Sequence, residues 1–541
     1  MNVTRLTEAF WPSADGPTSS GTASELRWIT LFLSLGLLAR SVRFLLCFPL
    51  WEDECFLAVN LIDRGFGALL RPLDYHQVAP PLFLWIELAM VKSLGFTEWS
   101  LRFFAFGSSV ASLLLFRSVA ARWLSGLPLV FAVGVFSVSY PAVRYAAEAK
   151  PYGPDALVSL VLLALFTSAL SRPERSRPLW LLALLFPVLL GLSYPAVFVA
   201  GGASLVAIAV FARERAPLRS WVALAVCGAS LALSFAFWTF FVAAPQHAAE
   251  ASFMERGWQG SFPPVEKPWL LPWWLVATHA SDFLAYPVGG PRFASTATFL
   301  LCLAGLAHLV RRRSHRLLAL GLAPVSLHLL AAAFHRYPYG GHARLSQYAS
   351  PLICCLAGLG AAALVERLAA PHAARRSVLG VLLVVGVATI ARDVTFPYKT
   401  RSDQRARAFA QWFWASAAAK EEVACARRDL GLDLAPGTFG ELSWSAEYVC
   451  NRRIYAPASN RGGPDWSRVA PGRPLVCLVY RDPRFPLDVA AFDRWLSEMR
   501  TRYDLVGKEV FAFPRYDKRE RTLLQTDTLE TYRFASRAPA R

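Results

Sequence analysis

The sequence predicts an α-helical protein that crosses a membrane many times and carries a small α/β domain at its C-terminal end. Of the 541 residues, 55% are hydrophobic and only 17% are charged, and the mean hydropathy is +0.37. Long apolar runs recur from residue 27 to residue 392, and the chain becomes polar after that point. A soluble chain of this size carries more charge, so we expect most of the protein to lie in a bilayer.

Eleven apolar segments approach the length of about 20 residues that a helical span needs. They are 27–48, 99–116, 127–143, 153–171, 179–195, 196–212, 220–243, 295–310, 317–334, 349–366 and 376–392. The fifth and sixth are short and meet around Pro195, which predicts a tight hairpin. Residues 1–26 form a polar tail, and no small-residue cleavage site follows the first segment. We therefore expect an uncleaved first helix rather than a signal peptide.

Clusters of arginine determine the expected orientation. They fall in alternate loops, around residues 117–122, 172–177, 213–219, 311–316 and 367–376. Cytoplasmic loops are enriched in Lys and Arg, so these loops are cytoplasmic if the N-terminus is. The loops 49–98, 144–152, 244–294 and 335–348 and the C-terminal part 393–541 then lie outside. The arginine clusters of the predicted cytoplasmic loops account for most of the excess arginine in the membrane part, and the whole chain has a net charge of +18. No basic helix or RNA-binding signature indicates a nucleic acid.

Two of the outer loops contain segments that are helical but too short to span. In the loop 49–98, residues 56–70 place apolar side chains at helical spacing and predict an amphipathic interfacial helix. Pro80 and Pro81 then start a second interfacial helix over 82–94, since proline suits a first helical turn. In the loop 244–294, four tryptophans predict that segment 268–286 lies on the outer leaflet or dips into it.

The C-terminal part, residues 393–541, has mixed helix and strand signals that predict a small extracytoplasmic α/β domain. We expect a helix over about 403–430, a strand at 475–480, a helix at 487–502, a strand at 509–513 and a frayed tail after about Lys518. Cys425, Cys450 and Cys477 lie in this part. An oxidising compartment permits one disulfide among them, but their spacing does not choose the pair.

The strongest chemical signal is the acidic run at 52–54, directly after the first span. A charge at this boundary is costly unless it faces water or a working cavity. A partly desolvated carboxylate there can act as a general base. The alternative is a solvated helix end. The polar segment 74–77 returns to the same face and favours a site, so Asp53 and Glu54 are the candidate catalytic residues.

In these motifs the chain resembles the GT-C superfamily of membrane glycosyltransferases. The similarity is to the family 39 type and its relatives, the protein O-mannosyltransferases and lipid A aminoarabinose transferases, and it covers about residues 27–400. Four motifs carry it: Asp53-Glu54 followed by Pro80-Pro81-Leu82, the Gly95 to Arg102 entry to the second span, the Tyr145 to Tyr152 loop, and the Tyr337 to Arg344 loop. All of them fall on one predicted membrane face.

The resemblance implies an inverting glycosyltransferase of a bacterial inner membrane that uses a polyprenyl-phosphate-linked sugar. Asp53 matches the catalytic aspartate of the family by position, and Glu54 matches its neighbour. The acceptor would be a lipid, glycan or protein of the cell envelope. Many relatives have His or Lys directly before the two prolines, where this chain has Ala79. The acceptor specificity of the family therefore does not carry over.

A glycosyl phosphate already has an activated leaving group, so the protein must bind phosphate, orient a nucleophile and take a proton. Arg344 is the first candidate for the phosphate, because a guanidinium matches phosphate oxygens bidentately. Lys150 is the second, and His342 and Arg336 are further basic candidates on the same face. For each of them the alternative is a cation that snorkels or contacts lipid headgroups.

The candidates for binding the sugar and the acceptor are Tyr75, His76, Gln77, Glu148 and Tyr152. For Glu148 the alternative is a local ion pair with Lys150. His76 and His335, together with the two acids, are also a candidate set for a divalent metal, but loop spacing without a ligand motif is weak evidence. Metal dependence therefore stays open, and no other cofactor is predicted.

The main competing interpretation is a transporter or flippase for a polyprenyl lipid or a small molecule. Such a protein needs paired charges or broken helices within its spans, and often inverted repeats. We find no repeat, and we expect the acids of the membrane part to lie in the outer loops. A third interpretation is a non-catalytic scaffold whose working part is the outer domain. It is disfavoured because the distinctive residues surround the first outer loop.

Overall fold

The computed structural model describes residues 22–246, 258–416, 422–425, 439–458, 461, 475–481, 489–516 and 522–536. Most of the predicted tail 1–26 lies outside these residues, as do 247–257 of the long outer loop and parts of the predicted helix 403–430. Helices make up the membrane part, and a four-stranded sheet lies in the C-terminal part. The predicted fold class is confirmed.

The membrane part contains α-helices that we number in chain order. They are α1 (Ala23–Leu45), α2 (Glu52–Ala58), α3 (Asn60–Asp63), α4 (Pro81–Leu94), α5 (Phe103–Ala120), α6 (Leu127–Val138), α7 (Tyr140–Arg144), α8 (Tyr152–Ser171), α9 (Arg177–Leu192), α10 (Ala196–Glu214), α11 (Leu218–Ala236), α12 (Leu271–Thr278), α13 (Thr296–Arg311), α14 (His315–Ala333), α15 (Ser350–Val365) and α16 (Pro371–Thr395). Short 3₁₀ segments cover Gly67–Leu70, Ser100–Arg102, Tyr145–Ala147 and Ala343–Ala349.

Eight of the described helices, some with their short extensions, are long and apolar enough to cross a membrane: α1, α5, α8, α10, α11, α14, α15 and α16. A ninth candidate is bent by 44° between α6 and the segment that begins with α7. The bend falls at Ser139, whose backbone is extended, and Pro141 lies in the first turn of α7. The shorter apolar helices α9 and α13 have 16 residues each. Each of the eleven predicted segments thus coincides with an apolar helix.

Helix α15 is the most buried of the candidate spans, and small residues let its neighbours approach closely. A Cβ at Gly358 would collide with the backbone of Ala132 in α6, and one at Gly360 would collide with the Leu301 carbonyl in α13. Close packing of backbones through small residues is a common basis of helix association in membranes. The packing holds the segment before α15, which carries Arg344, at one end of the bundle.

The loop 49–98 is built of short helices rather than the predicted single helix over 56–70. Helix α3 follows α2 almost directly and ends at Asp63. The backbone of Arg64 is then extended, and a 3₁₀ turn follows at Gly67–Leu70. Glycines at 65 and 67 weaken a continuous helix here, so the predicted helix is wrong in its second half. The predicted helix 82–94 is confirmed as α4, with Pro81 in its first turn.

In the described part of the loop 244–294, α12 is flanked by a 3₁₀ turn at Pro268–Leu270 and a π-helical turn at His279–Phe283. The helical character of the predicted segment 268–286 is therefore confirmed. The side chains of Trp269 and Trp273 are largely exposed. Exposed indoles favour a membrane–water boundary, and contact of this segment with the outer leaflet stays a prediction.

The C-terminal part contains α17 (Arg401–Ser416), β1 (Glu422–Cys425), α18 (Phe439–Tyr455), β2 (Leu475–Arg481), α19 (Val489–Arg502), β3 (Tyr503–Tyr516) and β4 (Leu523–Ser536). The strand order is β1-β2-β4-β3, with β1 and β2 parallel and the other neighbours antiparallel. The predicted β2 and α19 are confirmed, and β3 is longer than predicted.

Two predictions for this part are wrong. Residues 422–425 form a strand inside the predicted helix 403–430, and the predicted frayed tail contains β4. Strand β4 is polar in sequence, but it pairs with both β2 and β3 and buries Leu529 and Phe534. Its order therefore comes from tertiary pairing, which local composition does not reveal.

The C-terminal domain, which the sequence predicts to be the outer domain, packs on the loop 49–98. In α18, Ala446 and Cys450 are buried against the α2 residues Cys55 and Phe56. On the other side of this contact, Glu98 accepts hydrogen bonds from Arg407 of α17 at 3.0 Å and from the Tyr455 hydroxyl at 2.5 Å. The domain is thus fixed to the loop that carries Asp53.

Charged side chains also lie within the spans. Arg43 of α1 pairs with Asp393 of α16 at 2.8 Å, and both are buried. Arg40 of α1 is satisfied by backbone carbonyls, including that of Ser137. Asp155 of α8 is buried, and one of its carboxylate oxygens has no hydrogen-bond partner among the described residues. The expectation that the acids stay in outer loops is therefore wrong for Asp155 and Asp393.

Candidate active site

Asp53 lies at the centre of a cluster of charged side chains from three loops that the sequence predicts to lie on the outer face. Its Oδ1 accepts a hydrogen bond from Lys150 Nζ at 3.0 Å, and its Oδ2 accepts one from Arg344 Nη1 at 2.7 Å. Asp53 is in the first turn of α2, Lys150 immediately precedes α8, and Arg344 lies in the segment before α15. The side chains of Asp53 and Arg344 remain 19% and 18% exposed. The structure therefore brings together three of the predicted site residues at a place that solvent reaches.

The two cations control the charge of Asp53. Burial alone would raise the pKa of this carboxyl, but Lys150 and Arg344 outweigh burial and lower the pKa to about 2. Burial in turn lowers the pKa of Lys150, and Asp53 opposes that effect. At neutral pH Asp53 is thus a carboxylate held by two donors, and it is a weak base as long as both donors point at it.

Gln77 joins this cluster from the far end of the first outer loop. Its Oε1 accepts a hydrogen bond from Lys150 Nζ at 2.7 Å, and its Nε2 donates to the Tyr75 carbonyl at 3.0 Å. Tyr75 and His76 have positive φ angles of 58° and 55°, an uncommon conformation for residues other than glycine. The ring of Tyr75 stacks on Phe56 with centroids 5.5 Å apart. This stacked turn aims Gln77 at Lys150.

The segment that carries Arg344 is shaped by two glycines. Gly340 and Gly341 have φ angles of +81° and +75°, which residues with a side chain rarely adopt. A Cβ at Gly341 would also collide with the hydroxyl of Ser261. The backbone N–H of Tyr339 donates to the Ser261 carbonyl at 2.8 Å, which ties this segment to the neighbouring outer loop. The Arg344 guanidinium then lies over the ring of Trp258 at 4.8 Å.

Two histidines support this segment: His328 is buried, and His279 is half-buried. His328 of α14 hydrogen-bonds the Tyr348 hydroxyl at 2.8 Å and the Pro338 carbonyl at 2.9 Å. His279 hydrogen-bonds the Tyr339 hydroxyl at 2.8 Å. The sequence had given no reason to single out His279 or His328. A histidine inside an apolar span such as α14 was the available signal, since a buried imidazole needs partners for its nitrogens.

Glu54 differs from Asp53 in its surroundings. It is fully buried, and Arg102 holds its two carboxylate oxygens from Nε at 2.7 Å and from Nη2 at 2.6 Å. The backbone N–H of Ala149 donates to the same carboxylate at 2.7 Å. Arg102 also donates to the carbonyls of Phe48 and Pro49. The Glu54–Arg102 pair thus links the segment after α1, the segment before α5 and the segment that carries Lys150.

A second group of charges adjoins the cluster at Trp51. Glu148 accepts a hydrogen bond from Arg144 Nε at 2.6 Å, so its ion pair is with Arg144 and the alternative pairing with Lys150 is wrong. Lys399, which follows α16, lies over the Trp51 ring. Burial lowers the pKa of Lys399 to about 7, against the attraction of Glu148. This lysine therefore changes charge near neutral pH beside the Asp53 cluster.

The remaining predicted residues lie around this cluster at different distances. Tyr152 packs edge-on against Tyr145 at 4.9 Å and lies within electrostatic reach of Asp53. His342 is exposed, with its ring 6.5 Å from that of Trp258. Arg336 is exposed at the start of the same loop, directly after α14. In the described part of the chain, no group of three or more His, Cys, Asp or Glu side chains has an arrangement suited to a metal.

The fold and the placement of these charges define a multi-pass membrane protein with the fold of the GT-C glycosyltransferases. The chain is similar to the crystal structure of ArnT from Cupriavidus metallidurans bound to undecaprenyl phosphate. The two superpose with a TM-score of 0.51 at 13% sequence identity, over 93% of this chain and 98% of that one. The apo state of the same ArnT gives a TM-score of 0.47 at 12% identity, over 94% and 98% of the two chains.

The oligosaccharyltransferase of Archaeoglobus fulgidus in its apo form is a more distant structural neighbour. Its TM-score is 0.44 at 11% identity, over 83% of this chain and 69% of that one. No protein-family model matches the sequence. A search of curated proteins likewise gives no match. At these identities the similarity concerns the fold, and the chemistry must be argued from the residues.

Proposed function

We propose that this protein is an inverting glycosyltransferase that moves a sugar from a polyprenyl-phosphate donor to an acceptor on the outer face of a bacterial inner membrane. The observation that carries the proposal is the contact of one carboxylate, Asp53, with two cations at a solvent-reachable place on the outer loops. The proposal has the N-terminus in the cytoplasm and the C-terminal domain outside, and the positions of the arginine-rich loops support this orientation.

The donor phosphate takes the place of Asp53 as the partner of the two cations. A guanidinium and an ammonium about 3 Å from one carboxylate are arranged to bind an oxyanion of similar size and charge. Arg344 is the primary phosphate ligand because its planar fork matches two oxygens, and Lys150 is the second. His342 and Arg336 lie farther out and would contact the donor only at its periphery.

Donor binding also prepares the base. When the phosphate binds Arg344 and Lys150, Asp53 loses the two interactions that lower its pKa and becomes more basic. The acceptor hydroxyl then attacks the anomeric carbon, its proton passes to Asp53, and the bond from that carbon to the phosphate oxygen breaks. The electron pair of this bond leaves with the polyprenyl phosphate, and the configuration at the anomeric carbon is inverted.

Glu54 has a positioning role in this proposal. Both of its oxygens are held by Arg102 and a backbone amide, and the side chain is fully buried. A carboxylate with these partners has no route to a substrate proton. It keeps Asp53 and Lys150 at a fixed separation, since it bonds to the segments on both sides. Gln77, Tyr75, His76, Glu148 and Tyr152 are proposed to line the sugar and acceptor side.

The transporter alternative draws on the buried charges of the spans. The Arg43–Asp393 pair and the half-satisfied Asp155 are the features that such a protein would use. Arg43 and Asp393 satisfy each other across α1 and α16, however, as a static link between helices does. Movement of a lipid across the bilayer does not require a carboxylate held between two cations, so the Asp53 cluster does not favour the transporter.

Transfer of radiolabelled sugar from polyprenyl-phosphate donors in isolated membranes tests the proposal. Wild-type protein is compared with Asp53→Asn and with Asp63→Asn, a matched control whose carboxylate is exposed in the same loop. We expect transfer by the wild type and the control and a large loss in Asp53→Asn. Equal transfer by all three would refute the role of Asp53. Movement of lipid across the bilayer without consumption of any donor would favour the transporter.

A further inference from the structure

Two cysteine side chains meet where the outer domain docks on the first outer loop. Cys55 lies in α2, two positions after Asp53, and Cys450 lies in α18. Both side chains are fully buried, and the Cys450 Sγ is 3.7 Å from the Cys55 carbonyl oxygen. The two thiols are also within hydrogen-bonding reach of each other. Both are free thiols in the structure.

The packing around this pair explains why the thiols come so close. Ala446 and Cys450 are four positions apart on one face of α18, and this face is buried against α2. A small side chain at 446 lets the two helices approach to the distance at which short side chains touch. Disulfides require Cβ atoms about 4 Å apart, and thiols already in contact are near this arrangement.

Of the other cysteines of the C-terminal domain, Cys477 is the one whose side chain the structure describes, and it lies in a different cluster. Cys477 is in β2 and is buried in a separate cluster around Trp495 and Phe534. The backbone of Cys425 in β1 pairs with that of Leu478 in β2. Cys450 instead belongs to the cluster formed with the first outer loop. The partner of Cys450 is therefore a residue of the membrane part, which spacing within the outer domain does not suggest.

We propose that Cys55 and Cys450 form a disulfide in the mature protein and that this bond anchors the outer domain to the helix that carries Asp53. This proposal rests on the outer-face orientation of the proposed function, because a structural disulfide persists in an oxidising compartment and not in the cytosol. The bond would link positions 395 residues apart, and so hold two parts of the chain that no local structure keeps together.

The oxidation is a thiol–disulfide exchange with a disulfide oxidase of the cell envelope. The thiolate of Cys450 attacks the oxidase disulfide and forms a mixed disulfide, and Cys55 then displaces the oxidase thiol. One sulfur–sulfur bond forms in this protein and one breaks in the oxidase, and the two electrons and two protons of the thiols pass to the oxidase, which leaves as its dithiol. Because both thiols are buried once the domain has docked, the exchange takes place before docking is complete.

Burial also protects the bond after it has formed. The pKa of the Cys55 thiol is raised, first by burial and then by its contact with Cys450. A thiol that seldom ionises and a sulfur that reductants do not reach exchange slowly. The bond is thus a permanent structural link rather than a switch.

Peptide mapping of the full-length protein tests the proposal. Membranes are quenched in acid, and the protein is denatured and alkylated with N-ethylmaleimide without a reductant before digestion. We expect peptides with Cys55 and Cys450 joined to each other, and both alkylated only after reduction. Alkylation of both without reduction would overturn the proposal. A bond from Cys450 to Cys425 or Cys477 would overturn it as well.

Two variants and one host control sharpen the result. In Cys450→Ser, Cys55 should become open to alkylation in every molecule, whereas in Cys477→Ser the Cys55–Cys450 peptide should persist. In a host that lacks the envelope oxidase, the pair should be reduced. The wild-type map decides the question even if Cys450→Ser accumulates poorly. Free thiols in a protein that transfers sugar would refute the disulfide alone, and a linked pair in a protein without transfer would refute the proposed function alone.

Discussion

The replacement Asp53→Asn separates two roles of this residue that change in opposite directions. As a base, Asp53 should be needed for turnover, and loss of a general base lowers kcat by about 10²–10⁴-fold. As the partner of Arg344 and Lys150, it competes with the donor phosphate for the same two cations. Removal of its charge should therefore leave donor affinity unchanged or improve it, while kcat falls.

The size of the second effect follows from the ion pairs. A fall in the pKa of Asp53 from 3.8 to about 2 corresponds to roughly 2 kcal/mol of interaction with its surroundings. Because the side chain is 19% exposed, screening by solvent reduces this to about 1–2 kcal/mol. The donor must displace this interaction when it binds. Asp53→Asn should thus tighten donor binding by up to about 30-fold.

Two measurements on purified protein in detergent or nanodiscs check this prediction. Equilibrium binding of radiolabelled polyprenyl phosphate gives the affinity, and steady-state transfer gives kcat. Asp63→Asn, with its exposed carboxylate in the same loop, should behave as the wild type in both. Donor binding weakened more than about 10-fold, with kcat unchanged, would refute the reasoning. It would mean that Asp53 orders the two cations for the donor instead of competing with it.

Four further predictions concern the surroundings of Asp53. Arg344→Ala should raise the donor KM by about 10–100-fold, since a hydrogen bond to a charged group contributes roughly 1.5–3 kcal/mol, whereas Lys92→Ala, an exposed cation of the first outer loop, should not. Arg102→Ala should destabilise the protein by about 3–5 kcal/mol, because it leaves the carboxylate of the buried pair without its partner, and a lower thermal midpoint should report this. Lys399 has a pKa of about 7, so its charge is present below that pH and lost above it. Donor KM should rise from about pH 6 to pH 8, and Lys399→Met should remove this dependence. Gly341→Ala should lower transfer by at least about 10-fold, because strain and the collision with the neighbouring loop displace the segment that carries the phosphate ligand.

Each of these predictions has a result that contradicts it. Equal donor KM in Arg344→Ala and Lys92→Ala would remove the phosphate role of the guanidinium. A thermal midpoint of Arg102→Ala equal to that of the wild type would mean that the buried pair is not a structural link. For Lys399, the donor is a phosphodiester with a single ionisation far below neutral pH, so an unchanged pH profile in Lys399→Met would assign the dependence to another group. Full activity of Gly341→Ala would show that the segment tolerates a different backbone shape.

The helices of the membrane part were predictable because the lipid bilayer requires long runs of apolar side chains. A span must be largely apolar over about 20 residues, and arginine-rich loops separate several of the spans, so the eleven segments were found from composition. The break of the first outer loop at Arg64 was missed because two glycines, and not the apolar spacing, decide it. Strand β4 was missed for a related reason, since its polar sequence is ordered by pairing with β2 and β3.

The sequence indicated Asp53, Lys150 and Arg344 individually, as charges in outer loops, but not the distances between them. The pairing of Glu54 with Arg102 depends on how two segments meet, and a pair 48 positions apart leaves no local signal. Glu148 and Arg144 are only four positions apart, so their ion pair could have been found from the sequence. The support of the Arg344 segment by His328 is likewise a tertiary contact. Glu54 is buried whereas the adjacent Asp53 remains accessible to solvent. Only the folded structure shows this difference in burial.

The separation of the three central residues along the chain has a consequence for biogenesis. Lys150 and Arg344 follow Asp53 by 97 and 291 positions. During synthesis the segment with Asp53 therefore emerges first, the lysine follows after a few more helices, and the arginine follows only after α14. A polypeptide released early carries the acid without its full set of cations. Under the proposed function, such a shortened chain lacks the phosphate ligand Arg344 and does not withdraw carrier lipid from the membrane.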